Sequence, residues 1–224
     1  MTPIDRSNGM VLVAALLVML MMSALGAGFV LVTASETTIA ANFRSSQEGS
    51  SAAHAAVERA LGDLALLEDW NAVLAGSVRS TFVDGLPSGT RTLADGSSLN
   101  LAGIVNLANC RKTTTCTAAE MDAVTAERPR GMNNPRWQAF AYGRLTDLGA
   151  PGAVDSPYYA LVLAADDPSE TDNDPLHDGI SPDPGAGVLV LRAEVFGLRG
   201  AHKSVEASVA RVSPSGLRVF SWRY

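Results

Sequence analysis

The chain has 224 residues, of which 47% are hydrophobic and only 18% charged, with a net charge of −6. That length suffices for one good-sized domain plus an appendage. No basic cluster offers an electrostatic source for phosphate-backbone binding, so nucleic acid is not an expected partner.

The apolar excess is concentrated near the N-terminus. Residues 1–9, MTPIDRSNG, are short and polar. From Met10 to Val32 there is neither charge nor proline, which gives roughly 35 Å of helix, enough to span a bilayer. A secretory signal peptide would have a shorter apolar region followed by a small-residue cleavage site; Ala24, Gly26, Ala27 and Gly28 keep that alternative open. A buried core helix is the other alternative, although a terminal apolar run of this length rarely serves that purpose. Arg6 precedes the span, and the first basic residue after it is Arg44. That bias predicts the N-terminus inside and the rest of the chain outside the cytoplasm.

The helix is expected to continue beyond the span. No proline occurs between Glu36 and Trp70. Ile39, Phe43, Val57, Leu61 and Leu64 recur at helical spacing, with Ser46, Ser50 and Ala53 mid-stripe. Small residues there allow another helix to approach closely. One half of the helix would then cover its own head while the other packs in a bundle of like helices.

A polar leader ending in Gly9, a hydrophobic helix that begins at once and an amphipathic continuation resemble a type IV pilin precursor. Within that superfamily the stretch from Ser7 to Leu61 resembles the PilX type of minor pilin. The matching runs are SNGMVLVAALLVMLMMSALG and ETTIAANFRSSQEGSSAAHAAVERAL, with Glu36, Asn42, Arg44 and Glu58 where that family tends to place Glu, Asn, Arg and Glu. The closing LRVFSWRY also resembles the family's C-terminus. The resemblance covers roughly the first third of the chain and the last strands. It implies a prepilin leader at 1–9, a transmembrane half-helix at 10–32, an amphipathic half at 33–70 and a globular head at 71–224. A prepilin peptidase would cut after Gly9 and methylate Met10. Two positions depart from the family: the mature chain would start with Met10 instead of Phe, and its fifth residue is Ala14 where most pilins have Glu. A lone carboxylate in hydrocarbon is costly unless paired. A subunit lacking it cannot pair with the amino terminus of a subunit above it, so Ala14 points to a minor subunit near the tip.

The fold expected is α+β, with the long helix packed on an antiparallel sheet. Cys110 and Cys116 flank a polar loop, RKTTT. They read as free thiols or half of a metal site in a reducing compartment, and as a small disulfide loop in an oxidising one. Export favours the disulfide. Thr117 and Glu120 form a capping-box pattern before a short helix expected to end near Glu127. Strands are predicted at Trp137–Tyr142, Tyr158–Ala164, Val188–Phe196, Ser204–Val212 and Leu217–Tyr224, with turns at 197–200 and 213–216. The last three follow one another through short links, which implies an antiparallel meander. Alternation in Val205, Ala207 and Val209 fits a sheet with one face covered.

An acidic stretch, DDPSETDNDPLHDGISPDPG, lies between two of these strands. Its seven carboxylates repel one another unless solvated or bridged by a cation. A solvated acidic loop and a calcium loop are the two readings. Asp172, Asp174 and Asp178 are the expected ligands, with Asp166 or Asp167 closing the site from the strand end. The spacing is not that of an EF-hand.

No motif of nucleophilic, zinc or phosphate-binding catalysis occurs. His54 and Glu58, four apart on the helix, read as a solvated side-chain pair. The function expected is therefore assembly. A minor pilin would be held in the bacterial inner membrane with its head in the periplasm, then extracted into a pilus at the cell surface. Its partners would be other minor pilins, the major pilin, the peptidase, membrane lipid and a tip adhesin. In the membrane, association would use small contact residues such as Ser23, Ala24, Gly26, Ala27 and Gly28. The alternatives are a K-type pseudopilin of a type II secretion system, whose extra helical domain this head is too short to hold, and a membrane-tethered periplasmic enzyme.

Overall fold

The computed structural model describes residues 7–149, 155–212 and 216–224. Most of the leader expected at 1–9 and most of the turn expected at 213–216 lie outside the described residues. The chain divides into two compact units between Ser45 and Ser46.

Helix α1 runs from Ser7 to Leu64 and crosses that division. It starts two residues before Gly9. It also stops six residues short of the Trp70 limit expected from the absence of proline. The reason is packing. The amides of Leu66 and Leu67 bond the carbonyls of Asp63 and Leu64 three residues back, and this tightened last turn ends the helix. The chain then turns so that Trp70 is buried and Leu67 packs against the core. Arg211 fastens the turn by donating to the carbonyls of Glu68 (2.7 Å) and Leu67 (3.2 Å), with its guanidinium 4.6 Å from the centre of the Trp70 ring.

The second unit then follows in order: α2 (Asn71–Leu74), β1 (Thr90–Thr92), β2 (Ser98–Asn100), α3 (Leu101–Cys110), α4 (Ala118–Asp122), β3 (Gln138–Arg144), β4 (Tyr159–Asp166), β5 (Val188–Phe196), β6 (His202–Arg211) and β7 (Leu217–Arg223). Strands β3 to β7 form one antiparallel sheet in sequence order, and β1 and β2 form a separate hairpin. The meander therefore has five strands, and the predicted bounds of β5 coincide with the observed ones.

One sheet face packs on α1. Ala53, Ala56, Val57, Ala60 and Leu64 join Ala160, Val162, Leu191, Ala193, Val205, Ala207 and Val209 in a continuous core. Val205, Ala207 and Val209 do lie on the covered face. The opposite face is covered too, fully over β3 and β4 and partly over β5, where Val190 and Phe196 pack against it. There Trp137, Tyr142, Leu161 and Leu163 pack with Leu99 and Leu101 from the β2–α3 junction. Every residue of β4 is accordingly buried. Its uninterrupted apolar run, YALVLAA, is what a strand covered on both faces requires.

Candidate functional site

The junction between Gly9 and Met10 lies inside α1, and both residues are exposed. So is every residue from Gly9 to Arg44. The run includes the whole apolar segment and continues through Ile39 and Phe43, at 65% and 66% exposure. Gly26 and Gly28 sit in a stretch where an added methyl would meet no neighbour within 4 Å. Among the described residues α1 is the one helix long and apolar enough to cross a membrane.

Cys110, the last residue of α3, is disulfide-bonded to Cys116, with 6.0 Å between their Cα atoms. The bridge leads into α4, whose capping box is complete: Thr117 and Glu120 bond each other's backbone amides. Helix α4 ends at Asp122, short of the Glu127 expected. Arg128 reaches back from the following segment to the carbonyls of Ala108 (3.0 Å) and Met121 (2.7 Å), taking an acceptor that a longer helix would pair with the amide of Thr125. Asn109 ties α3 to β3 by exchanging two hydrogen bonds with the backbone of Trp137. Beside this staple an open cleft of about 710 Å³ is lined by five arginines, Arg111, Arg128, Arg130, Arg192 and Arg223. The guanidinium groups of Arg111, Arg128, Arg192 and Arg223 are engaged, by Glu127, by backbone carbonyls, by Glu194 and by Glu206 respectively.

The histidines are also engaged. His54 packs on Trp222, with 4.5 Å between ring centres, and lies 3.1 Å from the Tyr224 hydroxyl, so it does not form the solvated pair expected with Glu58. His202 bonds the buried Glu194 at 2.5 Å. Burial pushes the Glu194 carboxyl up, but His202 and Arg192 outweigh it and hold it below the usual range. Ser204 bonds Glu194 and not the imidazole, so the three do not have the nucleophile–base–orienter order of a hydrolytic triad.

The acidic stretch is different. Asp166 closes β4, and Glu170 and Asp178 come from the loop that follows. Each contributes a carboxylate oxygen to a group lying within 4.8 Å of one another. Asp166 and Glu170 are only 3% and 2% exposed, and one oxygen of each, Oδ1 and Oε1, has no hydrogen-bond partner. Burial first, then the Glu170 charge, pushes the Asp166 carboxyl up to about 8. Glu170 is pushed up to about 7, chiefly by burial, with the Gly179 amide working against it. Burial also raises Asp178, against the Gly187 amide and Arg211.

The structure therefore brings together two of the five expected ligands, Asp166 and Asp178. Asp167, Asp172 and Asp174 stand outside the group because each serves a local turn. Asp167 accepts the Ser169 amide, Asp172 the Asp174 amide, and Asp174 pairs with His177. Glu170 takes their place. Its place is set by contact with Gly179 and Gly185, where a methyl would lie 2.5 Å from Glu170 Oε2 and 2.8 Å from Glu170 Cγ. No protein-family model, no curated protein and no solved structure matches the chain.

Proposed function

We propose that the chain is a membrane-anchored minor pilin of the PilX type. It would help prime a type IV pilus and be incorporated near its tip through helix–helix packing with other minor pilins and the major pilin. The observation that carries this reading is the division of labour along α1: residues 52–64 build the core of the second unit, while residues 9–44 of the same helix are exposed and largely apolar. Apolar surface on that scale needs lipid or other helices to cover it. Lipid covers 10–32 in the membrane. Ile39 and Phe43, beyond the span, extend the uncovered surface along the helix, which suits a bundle of like helices better than lipid alone. Ala14 removes the carboxylate that would pair with a subunit above, and the disulfide suits an oxidising compartment.

The test is immunodetection in filaments sheared from piliated cells. The wild-type chain is expected there at low copy. An Ala14→Glu variant is expected at no higher copy, since no subunit above offers its amine. Absence from filaments overturns the reading, and a marked gain of the variant along the fibre overturns tip placement.

A further inference from the structure

We propose that Asp166, Glu170 and Asp178 form a calcium site that fastens the 166–187 loop to the end of the central strands. The three oxygens come from separate points of the chain: the last residue of β4, the turn after it, and the stretch returning to β5. Acidic side chains on a surface loop normally swing into water. Here the backbone prevents it. Gly179 and Gly185 press against Glu170 more closely than any side chain would permit, and Gly185 adopts a φ of +90°. The Gly179 amide holds Glu170 Oε2 at 2.9 Å and the Gly187 amide holds Asp178 Oδ1 at 2.6 Å. Oxygens of Asp166 and Glu170 are left buried without a partner.

Buried carboxylates persist when protonated or when paired with a cation or metal, and among the described residues no cationic side chain pairs with the two innermost. The charges that act most strongly on Asp166 and Glu170 are other carboxylates. Arg211, the cation acting on Asp178, is already committed to the Glu68 and Leu67 carbonyls and to Trp70. The partner is a proton, which the raised pKa values of Asp166 and Glu170 favour, or a small, hard cation that displaces it. A donor set of carboxylate oxygens with no histidine or cysteine suits hard ions better than zinc and the softer metals. Between the two common hard ions, calcium accepts several protein oxygens in irregular geometry. Magnesium demands near-ideal octahedra and retains its waters. A cation here also orders the contact to α2, because the Asp178 amide donates to the Asn71 side chain at 2.8 Å. The site is independent of the pilin reading, and failure of one leaves the other standing.

The test uses the full chain in detergent, stripped with chelator and titrated calorimetrically with calcium chloride, then with magnesium chloride. One calcium per chain is expected, with a Kd of about 0.1–1 mM, the range of extracellular calcium modules. At a hundredfold excess over Kd the melting temperature should rise by about 5–10 °C. Asp178→Asn and Glu170→Gln should each abolish both effects, whereas the double change Asp172→Asn, Asp174→Asn should leave them intact. Without calcium, Glu170→Gln should melt no lower than the stripped wild type, because it removes a carboxyl whose charged form is disfavoured by burial and by neighbouring carboxylates. No heat and no melting shift at 10 mM calcium overturns the site without any variant. Equal loss in the Asp172/Asp174 variant reduces it to general loop charge, and equal affinity for magnesium overturns the assignment to calcium.

Discussion

Asp63, one residue from the end of α1, accepts the backbone amide of Thr81 at 2.8 Å and the hydroxyl of Ser80. This ties the helix to the segment that leads into the β1–β2 hairpin. The carboxylate is buried, which raises its pKa, but the bonds from Ser80 and Thr81 and the nearby Arg59 outweigh burial and lower it overall. A carboxyl depressed on folding stabilises above its unfolded pKa, near 3.9, and loses that contribution as pH falls through the folded value. Asp63→Asn should therefore cost about 2 kcal/mol at pH 7 and progressively less below pH about 4. Urea unfolding of the detergent-solubilised wild type and variant across pH 3–7 measures this. A difference that stays constant or widens toward low pH contradicts it.

The approach of α1 to the sheet depends on small side chains. Ala53, Ala56 and Ala60 are fully buried between the helix and the sheet, while Ala55 is exposed. Ala56→Leu has no space to fill and should destabilise by about 1–3 kcal/mol. Ala55→Leu should fall within about 0.5 kcal/mol of wild type. Equal effects at both positions in thermal melts would contradict the packing described.

The bridge between Cys110 and Cys116 closes a short loop. In the chain-entropy account such a loop contributes roughly 2–3 kcal/mol or less. The double variant Cys110→Ser, Cys116→Ser should lose stability within that limit. The unreduced wild type should resist thiol labelling until a reductant is added. Reaction of both cysteines before reduction would count against the bridge.

The sheet was legible in the sequence because its signals are local. Alternation in Val205, Ala207 and Val209, and turn residues at 197–200, specify a meander without reference to the rest of the molecule. The capping box of Thr117 and Glu120 was legible for the same reason. Helix α3 was overlooked although Asn100 caps it by accepting the Gly103 amide, because its apolar run is short enough to be mistaken for a strand or loop. The β1–β2 hairpin escaped because its strands are three residues long, leaving Asp95-Gly96 as the main cue. The carboxylate cluster was half legible. Acidic density marked the segment, but the choice of Glu170 over Asp172 and Asp174 is made by tertiary contacts at Gly179 and Gly185, which spacing along the chain does not encode.

The central claim is that α1 is a processed pilin helix, and the chemistry of its first residue tests it most directly. Intact-mass and N-terminal peptide mass spectrometry on the chain isolated from membranes containing an active prepilin peptidase should find a mature protein beginning at Met10 with a methylated amino group. A chain retaining residues 1–9 in those membranes would contradict the account.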